Sequence, residues 1–157
     1  MFALIFGLSF LANAQDVQTN QPKGYQFTDI KRLPATSVKD QARAGTCWSW
    51  SGISFFESEM IRMGKEPIDL SAMYIVRHAY SDKATKFVRL HGSMNFAVGG
   101  AFCDVMHVIK NYGIVPMDVY NGLNYGEPNH AFGEIDDVLA GYINAVIKNS
   151  NKKLSTA

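Results

Sequence analysis

Apolar residues recur along this chain with helical spacing in four places, separated by glycine- and asparagine-bearing loops. Ile53, Phe56, Met60 and Met63 fall three and four apart, which predicts one face of a helix over about Cys47–Met63. Trp50 lies one turn before Ile53 and is expected on the same buried face. Gly64 supplies a stop, and Arg62 with Lys65 places positive charge where the helix dipole favours it. Met73, Val76 and Tyr80 predict a second helix from about Ser71 to Tyr80 or beyond, with Leu70-Ser71 offering the cap. Val105, Val108, Ile109 and Tyr112 predict a third over about Ala101–Tyr112, closed by Gly113. The cleanest amphipathic stripe is Phe132, Ile135, Leu139, Tyr142, Ile143 and Val146, in a fourth helix over about Ala131–Lys148. Ile114-Val115-Pro116 reads as extended, Gly92–Gly100 and Asn121–Asn129 as loops, and Asn149–Ala157 as a polar end.

The two ends of the pattern are different. Phe2–Leu11 is a nearly unbroken apolar run followed by Ala12-Asn13-Ala14, the small-x-small signature of a signal-peptidase site, with cleavage before Gln15. The run is too short to span a bilayer, which takes ~20 apolar residues. No Lys or Arg precedes it, and the alternative is a buried N-terminal strand or helix. The division expected is residues 1–14 as signal peptide, 15–37 as an N-terminal arm and 38–157 as one domain. Export to the periplasm or the extracellular space follows from the signal, and a cytoplasmic location if there is none. Hydrophobic residues at 47% against 18% charged indicate a packed core. A net charge of +1 gives no footprint for nucleic acid or anionic lipid. No membrane association is therefore expected after cleavage, and no cofactor or metal is implied.

The chemistry gathers in Val38–Ser51. Gln41 stands six residues before Cys47, with small Ala44, Gly45 and Thr46 between them, Trp48 next and a helix beginning. A thiol attacks as thiolate, and the unpaired N–H groups and dipole of a helix N-terminus favour the anion. Attack on an amide creates an oxyanion, for which the Cys47 N–H and the Gln41 side-chain NH₂ are available donors, Gly45 permitting the tight return. Cys103 lies in the apolar pattern of the third helix and is expected as a small core residue. A Cys47–Cys103 bridge is open on sequence but would block the nucleophile. Asp136-Asp137 reads as a solvated helix face.

The window resembles the active-site segment of the papain-like cysteine peptidases. These share Gln, five residues, Cys-Trp and an aromatic two positions on. Their Cys-Gly-Ser/Ala-Cys-Trp/Tyr motif is matched at Gly45, Cys47 and Trp48, with departures at Ala44 and Thr46. Asp69-Leu70-Ser71 is similar to the family's Leu-Ser segment. Gly99-Gly100, a helix and Tyr112-Gly113-Ile114 resemble the segment whose glycines pair with substrate backbone. The resemblance covers about Leu33–Tyr120 and implies an α+β papain-like fold of which this chain supplies mainly the helical half. It further implies Cys47 as nucleophile, Gln41 as oxyanion donor, and Gly99, Gly100 and Trp48 in the substrate cleft. Ala44 in place of the first cysteine, the short lead-in and the fourth helix are similar to the bleomycin hydrolase/aminopeptidase C branch. That branch implies a peptide substrate, exopeptidase action from a free amino terminus, and a homo-oligomer.

The family's histidine lies ~130–150 residues after the cysteine. His78, His91, His107 and His130 all lie nearer than that, so none is assignable as the base, and His107 reads as structural. The chain is accordingly expected to be the N-terminal part of a longer enzyme, inactive alone. The alternative from another class is a non-catalytic papain-like binding or assembly module.

Overall fold

The computed structural model describes residues 24–149, apart from Gln26 and Tyr125. The chain divides into two units, Met1–Arg32 and Leu33–Ala157, and everything that bears on the predicted site lies in the second. The signal-peptide reading and the polar C-terminal end fall outside the described residues. In the first unit the described residues carry an exposed Asp29–Arg32 ion pair at 3.3 Å.

The second unit is built from α1 (Cys47–Arg62), α2 (Ala72–Arg89), α3 (Phe102–Tyr112) and α4 (Gly133–Lys148). All four predicted helices are present, with α2 longer than its sequence pattern. Ser71 caps α2 as expected, its hydroxyl accepting from the Tyr74 N–H at 3.0 Å. Gly64 and Gly113 follow α1 and α3 at φ +78° and +82°, where a side chain would be strained. Among the described residues there is no strand, only two isolated bridges, Arg43 with Ala131 and Leu70 with Pro116. The second ties the extended 114–117 segment to the start of α2 through Ser71 N–H to Val115 O (2.9 Å) and Met117 N–H to Asp69 O (2.8 Å).

The core lies where α1, α2 and α3 meet. Ile53, Ile75, Val76, Val105 and Val108 are almost fully enclosed, and Phe56, Met60 and Ile109 pack against them. Gly52 allows the closest crossing: a Cβ there would stand 2.8 Å from Val105 Cγ2. Two side chains depart from their predicted places. Met63 ends the α1 stripe at 66% exposure, because the helix finishes at Arg62 and Met63 falls outside its regular face. Cys103 is exposed rather than core, since α3 turns Val105 and Val108 inward and Cys103 lies off that face. Both cysteines are free thiols.

Glu57, on α1, is a buried carboxylate held by an ion pair and hydrogen bonds. It accepts from Lys39 Nζ (2.5 Å), from the Leu70 N–H (2.7 Å) and from the Thr36 hydroxyl, while Lys39 also reaches Asp69 at 2.9 Å. A buried charge is tolerated only when paired and hydrogen-bonded in this way. The cluster fastens residues 36–39 to α1 and to the α2 entrance. The stripe on α4 packs less tightly than its periodicity predicts. Ile143 is buried, but Ile135 and Tyr142 are 49% and 68% exposed. Between α2 and α4 lies an apolar cleft of about 770 Å³, lined by Met73, Val76, Tyr80, Leu139, Tyr142 and Ile143. Tyr80 crosses it to hydrogen-bond Asp136, so that carboxylate is not the freely solvated group expected. Burial first, and then the Asp136 hydrogen bond, push the Tyr80 hydroxyl far above its ordinary range.

Candidate active site

Cys47 is the first residue of α1 and is exposed. Thr46, directly before it, is fully buried and makes no side-chain cap. Its hydroxyl instead accepts from the Trp50 indole N–H at 3.1 Å, while its carbonyl takes the Ser49 N–H at 2.9 Å. The first turn of α1 contains no acidic side chain. Uncapped N–H groups without a competing carboxylate leave the positive end of the helix open to an anion beside the thiol.

The approach to Cys47 is a tight return. Asp40 Oδ1 accepts from the Ala42 N–H at 2.7 Å, Ala42 takes φ +51°, and Gln41 O accepts from the Ala44 N–H at 3.2 Å. Ala44 is buried, and Gly45 turns at φ +63°, where a Cβ would meet Val98 Cγ2 at 3.0 Å. Gln41 has its Oε1 buried with no hydrogen-bond partner among the described residues. Among the described residues the amide nitrogen makes no hydrogen bond either.

The glycine pair lies opposite, on the loop before α3. A Cβ on Gly100 would come within 2.5 Å of Trp48 Cε2, so only glycine allows the backbone to cross the indole there. Trp48 itself is 7% exposed, with its N–H given to Val98 O at 2.9 Å. Its indole lies directly beneath Gly100. Gly99 has open space at its Cβ position, and its carbonyl accepts from the Lys83 ammonium.

The histidines fall elsewhere. His107 is exposed and bonds Asp82 at 3.1 Å, across from α2. His78 stacks on Tyr112, with ring centroids 4.3 Å apart, and meets the tilted ring of Tyr74 at 4.5 Å. His91 follows the Leu90 cap of α2 at φ +51°. His130 is 6% exposed and lies against Trp50, with ring centroids 5.7 Å apart. Among the described residues none is hydrogen-bonded or ion-paired to Cys47.

The sequence profile of the papain family cysteine proteases matches residues 22–150. The chain belongs to the papain family. That match extends over the whole approach to Cys47, α1, the glycine pair and all of α4. No curated protein sequence matches the chain significantly. Membership indicates cysteine peptidase chemistry and, with it, peptide substrates.

Two residues that brace the segments around Cys47 gave no local signal in the sequence. Lys83 stands on α2, far along the chain from both the segments it touches. His130 precedes α4, where its backbone braces the approach to Cys47: Arg43 N–H bonds His130 O at 2.9 Å and Phe132 N–H bonds Arg43 O at 3.3 Å. Burial alone pushes the His130 imidazole below its ordinary value, so folding favours the neutral ring. With the folded value below the unfolded one, its contribution is complete above pH ~6.5 and is lost as pH falls below it. The melting temperature is expected to drop from pH 7 to pH 5, and His130→Asn to make that drop smaller. Equal slopes in thermal melts of the two proteins would contradict this. His78, also lowered chiefly by burial, contributes the same way in both.

Proposed function

We propose that the protein is a cysteine peptidase that removes residues from the amino terminus of peptides. The observation that carries this is the exposed Cys47 thiol at the uncapped N-terminus of α1, on a loop whose Gln41 presents an unengaged amide. The Cys47 thiolate attacks the scissile carbonyl carbon, and a C–S bond forms. The Cys47 N–H and the Gln41 amide hold the oxyanion. Collapse expels the amine, which takes a proton from an imidazolium, and water then releases the acid from the acyl-enzyme. The imidazole is supplied by a histidine other than the four described, none of which bonds Cys47. Gly100, with neither its N–H nor its C=O hydrogen-bonded among the described residues, suits pairing with an extended peptide backbone.

Exopeptidase action of the bleomycin hydrolase type is supported by the buried Ala44 at the place of the family's first motif cysteine. It is supported also by α4, packed against α2 after the 114–117 segment. The decisive assay compares two fluorogenic peptide amides differing only in N-acetylation, with the full-length protein. Hydrolysis of the free-amine substrate and not of its acetylated twin is the expected result. Equal rates would make the enzyme an endopeptidase. Binding of both without turnover would favour a non-catalytic module.

A further inference from the structure

We propose that Lys83 is a positioning residue for the substrate cleft: its ammonium fixes the Gly99 carbonyl and thereby sets the open Gly100 as a backbone rung offered to a peptide. The inference deepens the peptidase reading and rests on it for its catalytic consequence.

The loop joining α2 to α3 holds its shape with unusually few bonds. Among the described residues, 94–100 make no backbone–backbone hydrogen bond. Two side chains do the work instead, on consecutive carbonyls. The Trp48 indole N–H takes Val98 O at 2.9 Å, and the Lys83 ammonium takes Gly99 O. On the far side the Ala101 N–H is held by Asp104 Oδ2 at 2.8 Å, at the start of α3. Gly100 is thus anchored on both sides and engaged by neither.

The two glycines are constrained by different means. Gly100 is placed by the indole beneath it, where a Cβ would be 2.6 Å from Trp48 Cδ2. A Cβ added at Gly99 would meet nothing within 4 Å, so no side-chain packing on that side holds the residue. A glycine peptide is free to rotate, and a charge-assisted hydrogen bond is what selects one orientation. Lys83 is itself held: its ammonium lies 5.4 Å from the Trp48 ring and 5.9 Å from the Tyr80 ring, within range of cation–π attraction to each. The residue after the thiol and the residue before the open glycine are therefore tied by one ammonium group. With the Val98 and Gly99 carbonyls and the Ala101 N–H taken, Gly100 alone of residues 98–101 has both a donor and an acceptor free for strand-like pairing among the described residues.

Lys83→Met keeps the aliphatic stem over the rings and removes the ammonium. The expected result, in the full-length enzyme, is a KM for peptide amides raised about tenfold with kcat within about twofold. Lys83→Arg restores most of the affinity. The same loss is read without chemistry as a weaker Kd for an N-terminally free tetrapeptide when Lys83→Met is added to Cys47→Ala. The rate at which iodoacetamide alkylates Cys47 stays unchanged in Lys83→Met, because that reagent needs no cleft. An unchanged KM and Kd in Lys83→Met would overturn the proposal. So would a fall in alkylation parallel to the fall in affinity, or the same loss in Lys83→Gln and Lys83→Arg alike. Wild-type protein that turns over no peptide, but binds the tetrapeptide in a Lys83-dependent way, would remove the peptidase reading and leave the cleft assignment standing.

Discussion

Cys47→Ala in the full-length protein abolishes peptide hydrolysis, a loss of roughly 10⁴-fold or more, while its melting temperature stays within error of wild type. The two halves of this expectation have separate causes. The thiol is exposed at the first position of α1, so trimming it to a methyl leaves no cavity and strands no partner. Alanine is also a good residue for a helix start that carries no side-chain cap. The activity has no such tolerance, because a covalent route vanishes with its nucleophile and the remaining donors only bind. Cys103 provides an internal control. It is equally a free, exposed thiol, but it sits in the first turn of α3, where Asp104 engages the Ala101 N–H. Cys103→Ala keeps activity, and alkylation by iodoacetamide inactivates the wild type and Cys103→Ala alike. Full activity in Cys47→Ala would end the proposed mechanism.

The helices were legible because their signals are local. Ser71, Gly64 and Gly113 mark ends, and the three-and-four spacing of Ile53, Phe56 and Met60 marks a face. The same spacing misleads where the partner surface runs out, as at Met63 beyond the end of α1 and along α4, whose stripe borders an open cleft. Cys103 shows the complementary failure: an apolar-looking position on a helix whose buried face is narrow. What no pattern could show is which distant segments meet. Glu57 reads as an ordinary polar helix residue until Lys39 and the Leu70 N–H close on it. The bracing of Arg43 by His130 and Phe132, and of Gly99 by Lys83, likewise joins segments with no sequence relation. The candidate nucleophile and the loop before it were legible because Gln41, Gly45 and Cys47 lie within one short window. Trp48 was visible too, but its burial behind Gly100 depends on a loop fifty residues away.

Gln41→Ala is expected to lower kcat by about 10²–10³-fold with KM little changed, a loss of ~3–4 kcal/mol in the transition state. The substrate carbonyl in the ground state is neutral and gains little from a donor at that place, whereas the tetrahedral oxyanion carries full charge. The effect should therefore fall on kcat. Stability moves differently. Gln41 Oε1 is a buried acceptor without a partner among the described residues, and such a group costs free energy to keep. Removing it leaves the melting temperature unchanged or slightly raised, since the turn around it is held by backbone and by Asp40, not by the amide. Gln41→Glu sharpens the test. It preserves the shape, removes both N–H donors and sets a negative charge beside the developing oxyanion, so its kcat falls at least as far as that of Gln41→Ala. Steady-state kinetics on a peptide amide, paired with thermal melts, check all three statements. A kcat unaltered in both variants would take Gln41 out of the oxyanion site and leave the Cys47 N–H as the sole assigned donor.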